Sequence, residues 1–502
     1  MSTIGSTSQK TTTDLQTGLD IIASLPLANA QQAHAQIKEF LDGLLKAPPE
    51  IEIYLELLEH LRPSLCFVAE ELARHFVNKP LPLDDVEEES FRQAIIIWIK
   101  MARSYAACAK LVRPEKSTEQ QSRLALILHR CIYYMGMALV EHQRVRREQP
   151  PQLWGDLYRY YAVAEKRGVA LLPVPDALDP QERDPHCTSA FLGLLLYELA
   201  NPHCLSLSDQ NLVRTWADNW SALVSLHRVL PQEPPPSFVI DLVKNVGLRP
   251  PVVGQQAEHL RRLDTSRLAA HLKQIRQQLG QKISPAKIGL GASCSISQCK
   301  RLLEQLAHPW SQAPAPREFP RRAASGEARL GIGFAAAYAC VSGKTPSTPG
   351  HDQAAEAWHT LDQSANGFRL SREATGRKIA HGQLLAIYPH DGARFLLAQV
   401  SWLMQKRHGG LMAGVDVLAG IPEAIELHAL SPTDDLSELR AHAFLLPAIS
   451  LSAKSSLVIP QGWHRADRIV DRTTNPKQRL RLKRLIESGM DFEQVRFAVE
   501  PD

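Results

Sequence analysis

Arg317-Glu-Phe-Pro-Arg321 and Asp362-Gln-Ser364-Ala-Asn-Gly367 frame the stretch on which the fold turns, from Arg317 to Gly420, opening REFPRRAASGEARLGIGF and closing LMAGVDVLAG. Pro320 disfavours helix at Phe319 and is excluded from a helix interior, so the two arginines sit on extended chain. At about 3.3 Å per residue their Cα atoms stand about 13 Å apart, a clamp rather than a pair. Guanidinium groups match phosphate oxygens as planar forks and stack on flat rings, which lysine cannot do. Those residues point to a phosphate joined to a flat base.

The second motif follows Trp358 and Leu361 and precedes Phe368 and Leu370, the pattern of a tight turn entering a strand. Asp362 offers carboxylate acceptors, Ser364 a hydroxyl that donates and accepts, and Gly367 a residue free to take positive φ. Guanine displays N1–H and N2–H side by side, a pair that a carboxylate accepts.

Arg-x-x-x-Arg, an apolar strand over Ala328 to Ala335, Asp-x-Ser-x-x-Gly and then the strands LLAIY, FLLAQVSWL and GLMAGVDVL resemble the PilZ family of cyclic di-GMP receptors. The likeness covers about a fifth of the chain. It implies a six-stranded antiparallel β-barrel that holds the dinucleotide on its outer wall. It implies further that Arg317, Arg321 and Arg322 meet phosphates and guanine faces, that Asp362 and Ser364 bond a guanine edge or phosphate, and that Gly367 lets backbone approach. The connection over 336–360 exceeds a hairpin loop, which predicts an insertion over the site or a shifted register. Trp402, alternating with Val400 and Met404, is expected in the core.

With 502 residues, 44% hydrophobic and 22% charged, the chain is long enough for three or four globular domains. A net charge of +4 is too small for a polyanion-coating protein, so any basic site is local. The eight cysteines lie scattered in apolar helical patterns and are expected reduced, without a disulfide framework. His186-Cys187 and His203-Cys204 lack CxxC or HxxxH spacing, and no metal site is expected. Residues 1–13 read as a disordered tail without the features of a signal peptide. AIIIWIKMA and SAFLGLLLYELA fall short of the roughly 20 residues a bilayer span needs, so the expected location is cytoplasmic.

The fold class expected is multidomain α + β. Residues 14–230 carry helical periodicity: Ile51–Leu61, Pro63–Val77, Glu88–Lys110, Gln120–Arg146, Leu153–Arg167, Thr188–Ala200 and Leu207–Arg228 predict a solenoid-like, helical-repeat domain. Trp154, Leu157, Tyr158 and Tyr161 form a stripe that reads as core. Residues 231–310 predict a linker and small α/β connector, with helices over Gln255–Leu279 and Ile296–Leu306. The barrel takes 311–421, and 422–502 predict a second small β-rich unit, strands around a helix, with one basic cluster at Arg479, Arg481, Lys483 and Arg484.

Together these features point to a sensor that binds cyclic di-GMP, uses no cofactor and acts on a protein partner through its helical domain. Two other classes stay open: a nucleic-acid-binding regulator, which needs more than 6% aromatic residues and a stronger positive field, and a helical scaffold with a non-binding barrel. HExxH, GxSxG and P-loop motifs are absent from the sequence, and an enzyme is not expected.

Overall fold

The computed structural model describes residues 14–112, 117–179, 185–230, 238–250, 257–311, 319–343, 355–373, 376–429, 439–449, 454–473 and 478–500. The chain divides into two compact units. One comprises Met1–Asn78, Leu83–Val145 and Gln149–Ala315, and the other Lys79–Pro82, Arg146–Glu148 and Pro316–Asp502.

The first unit opens with eight helices: α1 Leu15–Ala23, α2 Ala30–Lys46, α3 Ile51–Ala73, α4 Asp85–Leu111, α5 Thr118–Arg144, α6 Pro151–Lys166, α7 Cys187–Leu199 and α8 Leu207–Trp220. Side chains of Asp14, Asn29, Ser117 and Ser206 cap helix starts, and Asp84 with Glu87 forms a capping box on α4. Each helix packs against neighbours one or two places along the chain. Trp154, Leu157, Tyr158 and Tyr161 are buried in this core. α5 is long and apolar enough to cross a membrane, but 78% of its apolar window is buried inside the unit.

Three expected boundaries are corrected. α3 runs through Pro63 instead of breaking after Leu61. An interior proline costs about 3 kcal/mol. Leu57, Leu58, Leu61, Leu65 and Val68 are wholly buried on both sides of it, each contributing roughly 1.5–3 kcal/mol, and they outweigh it. The segment expected to extend a helix to Arg228 instead forms β1, Ser225–Arg228. Within the helix expected over 255–279, Leu260–Asp264 is β3, and only Ser266–Gly280 is helical, as α9. β3 lies between β1 and β2 (Ile240–Asp241), so partners distant in sequence override the local helical pattern. α10, Ile296–Trp310, follows. Cys294 and Cys299, expected reduced, form a disulfide at its start, and the six other cysteines are free.

A buried polar network crosses this unit. Arg62 and Arg130, 3% and 1% exposed, both bond Glu59 and Asp176, while Tyr105 donates to Glu59. Each charge is met by opposite charge in fork geometry, the condition under which burial is tolerated.

The second unit holds two barrels. The first has β4 Arg322–Ala323, β5 Glu327–Ile332, β6 Glu356–Ser364, β7 Gly367–Arg372, β8 Leu384–Tyr388, β9 Leu396–Gln405 and β10 Leu411–Val417. Antiparallel pairing runs β6-β5-β8-β9-β10-β7, and β7 pairs back onto β6, closing six strands with β4 as an extra pairing on β6. Closure leaves no free edge. The strand expected over 328–335 stops at Ile332, because Gly333 takes φ +87° and turns the chain into α11, Phe334–Ser342. α11 occupies part of the long connection and lies on β5 and β8. Residues 344–354 of that connection are outside the described residues.

The second barrel is β11 Glu423–Ala429, β12 Leu439–Leu446, β13 Ser456–Pro460, β14 Ile469–Arg472, β15 Gln478–Ser488 and β16 Phe492–Val499, closed in the order β11-β12-β13-β16-β15-β14. It is a barrel of its own, and among its described residues there is no helix. Three of the four residues of its basic cluster are paired: Arg479 meets Asp471, Arg481 meets Glu500 and Lys483 meets Asp467. The second barrel has its own apolar core around Ile425, Leu457 and Val495, and a separate apolar cluster joins the barrels, in which Ala337, Leu384, Ala386 and Leu397 pack with Phe444, Leu446, Val458 and Phe492. Tyr338 of α11 stacks on His442 at 4.0 Å.

Candidate functional site

Asp-x-Ser-x-x-Gly forms the β6–β7 hairpin, with Ser364 opposite Gly367 and Ala365-Asn366 as the two-residue loop. Asp362 therefore lies on the strand, directly across from Arg369. Its Oδ1 accepts from Arg321 Nη1 at 2.7 Å, and its Oδ2 stands 2.8 Å from Arg369 Nε. One carboxylate thus lies against two guanidinium groups on the outer wall, whose side chains are 32% and 44% exposed.

Strand register extends this into two rows. Arg369 is opposite Gly414 on β10, and Gly414 is opposite Trp402 on β9, so Asp362, Arg369, Gly414 and Trp402 run side by side across four strands. A Cβ on Gly414 would collide with the Trp402 indole, so the ring lies over the glycine. Trp402 is half-buried and outside the core expected for it. The reason is a bulge: Ser401 is the extra residue between the Trp402–Gly414 and Val400–Val415 pairs, and it resets which face the following side chains take.

The second row is Ser364, Gly367, Asp416 and Gln399. Gly367 needs no positive φ. Its role is close approach, since a Cβ there would collide with the Val415 carbonyl and come within 3.3 Å of Asp416 Oδ1. Burial pushes the Asp416 carboxyl up, against the lowering effects of the Ser401 hydrogen bond and the Arg321 charge.

Of the expected site residues, Arg321, Asp362, Ser364 and Gly367 come together on this wall. Arg322 is exposed on β4 opposite Gln363, and Arg317 lies outside the described residues. Arg369, Gly414, Asp416 and Trp402 lie on the same wall, outside the motifs that the sequence offered. Arg369 and Asp416 lie in plain view in GFRL and GVDV, but only pairing register reveals that they neighbour Asp362 and Gly367. The expected absence of a metal site at His186 concerns a residue whose ring accepts from Ser189 N–H to cap α7.

Forked cations, a flat ring and a hydroxyl on one wall suit a ligand that is both anionic and aromatic. A helical unit followed by two closed six-stranded barrels, the first bearing this patch, makes a multidomain α + β protein with a PilZ-like first barrel. Residues 17–233 match the family model described as cyclic-di-GMP receptor FimW, N-terminal domain, and residues 429–499 match that of the FimW C-terminal beta-barrel domain. The chain is also similar to the cyclic-di-GMP receptor FimW of Pseudomonas aeruginosa, 24% identical over 510 residues that cover 87% of this chain and 82% of that protein. No solved structure matches. Over residues 17–233 and 429–499 the chain thus resembles the two domains of that receptor.

Proposed function

We propose that this chain is a cytoplasmic receptor that binds cyclic di-GMP on the outer wall of its first barrel and passes the signal to a protein partner through its helical domain. The observation that carries the reading is Asp362 holding Arg321 and Arg369 forward, next to the Trp402 platform. Arg321, with Arg317 and Arg322 on the same segment, engages the phosphates, Ser364 adds a hydroxyl, and Trp402 stacks a guanine. The receptor name of the similar Pseudomonas protein supports the ligand. Contacts of this kind are consistent with submicromolar affinity, about −8 to −10 kcal/mol.

A ligand shifts an equilibrium only by its differential affinity for the two states. The output therefore requires that binding change the exposure of the helical domain. Calorimetry of the full chain against cyclic di-GMP and cyclic di-AMP tests binding, and absence of measurable heat with cyclic di-GMP refutes it. Hydrogen exchange tests the output: slower exchange is expected at residues 311–323 and on some surface of the helical domain, and protection confined to the barrel removes the switch.

A further inference from the structure

Two short segments that join helices of the first unit are members of the second: Lys79–Pro82, between α3 and α4, and Arg146–Glu148, between α5 and α6. Asn78, just before one, and Arg146, opening the other, take φ of +61° and +54°, a region that residues other than glycine seldom occupy. Both segments are hydrogen-bonded to the first barrel. Leu81 and Ile379 exchange backbone bonds, N–H to carbonyl at 2.8 Å each way, and are 1% and 0% exposed. Gln405, the last residue of β9, donates its N–H to the Arg146 carbonyl at 2.8 Å and accepts from Glu148 N–H at 2.9 Å, so Arg147 is paired with it as on a parallel strand. Arg147 Nε adds a bond to Gln405 Oε1 at 3.2 Å, and Arg407 N–H donates to Glu148 Oε2 at 3.2 Å.

Both attachments lead to the Ser401–Trp402 bulge. Ile379 lies two residues before His381, whose Nε2 donates to the Ser401 carbonyl at 3.1 Å, and Gln405 lies three residues after Trp402 on the same strand. The Ser401 hydroxyl ties the bulge to β10 by donating to the Gly414 carbonyl at 3.1 Å, at the glycine that the indole covers. We propose that this bulge is the point at which ligand binding is passed to the helices. A base stacked on Trp402 fixes Ser401–Gln405, and the two connectors bonded at the flanks of that segment restrain α4 and α6 in turn. The inference rests on the cyclic di-GMP reading above and names the residues through which the bound barrel reaches the helical unit. An extra residue interrupts the ladder locally, so β9 changes there without opening the barrel. Leu81 stands four residues before α4 and Glu148 three before α6, which leaves little slack between each bond and its helix.

The test is hydrogen exchange of the full-length chain with and without saturating cyclic di-GMP, read beside calorimetry of the same samples. In wild type, exchange over residues 79–84 and 145–150 is expected to slow at least about fivefold on binding, the lower end for a coupling between two sites, together with the first turns of α4 and α6. Glu148→Pro removes the N–H that Gln405 holds. It is expected still to bind cyclic di-GMP and to keep the change at α4 while losing that at α6. Trp402→Ala, brought to saturation, is expected to show neither. Should Glu148→Pro fail to fold, Gln405→Ala, which removes only the side-chain acceptor of Arg147, takes its place and is expected to diminish the change at α6. Binding by calorimetry with neither connector altered, a change at α6 that persists undiminished in the connector variant, or connectors that still respond in Trp402→Ala would each overturn the route and leave the receptor reading standing. If wild type gives no heat with cyclic di-GMP, the receptor reading falls and the route with it.

Discussion

Gly414 and Trp402 face each other across β10 and β9, and the indole occupies the space where a glycine Cβ would be. Gly414→Val is therefore expected to lift the ring off the wall, and Trp402→Ala to remove it. Each should cost about 1–3 kcal/mol of cyclic di-GMP binding, the range for an aromatic stacked on a base. Calorimetry against wild type checks this, and equal affinities would mean that the ring is only a cover for the strand.

Arg321→Ala should cost at least about 2 kcal/mol of binding, and Arg321→Lys most of that, because an ammonium neither forks nor stacks. Arg317→Ala is expected to behave alike. Wild-type binding by either alanine variant would remove the clamp.

Asp362 acts on the arginines, since its two oxygens face Arg321 and Arg369. Asp362→Asn should accordingly weaken cyclic di-GMP and cyclic di-AMP by the same factor, as both guanidinium groups lose their anchor. A selective loss for the guanine ligand would show that Asp362 reads the base directly.

Asp491→Ala leaves the Phe334 and Leu384 N–H groups without their carboxylate, at about 1–3 kcal/mol. A lower urea midpoint for the barrel unit is the expected result. An unchanged midpoint would mean that the apolar cluster alone joins the two barrels.

The helical unit should be the acid-sensitive one. Burial would raise Glu59, but the hydrogen bond and charge of Arg130, with the charge of Arg62, overcome it and hold the carboxyl at about 2. Burial, with the Arg130 charge, lowers His129 to about 3. The unfolded chain takes up these protons near 4.5 and 6.5, above the folded values, so it binds more protons throughout that window and stability falls as pH drops from about 6.5 toward 2. His129→Gln should flatten the upper part of that slope in urea titrations from pH 7 to pH 4. An identical slope would place the proton uptake elsewhere.

Much of the fold was legible because the signals were local. Apolar spacing over Thr188–Ala200 marks the helix found as α7, and the run LLAIY marks the strand found as β8, since each reports its own few residues of backbone. Where a segment's partner decided the matter, local reading failed. Leu260–Asp264 looks helical and is the middle strand of a sheet, and Pro63 looks like a break yet lies within a helix that buried leucines hold together.

The site divides the same way. Sequence alone grouped Arg321, Asp362, Ser364 and Gly367 as one candidate set, because motif spacing is a property of the chain. Tertiary structure decided what each one touches. The Ser401 bulge turned Trp402 outward, and register set Arg369 beside Asp362 and Gly367 beside Asp416. Side-chain period on a strand is two, so one inserted residue moves a side chain from core to surface, and a contact between strands far apart in the chain depends on a pairing that no short window of sequence contains.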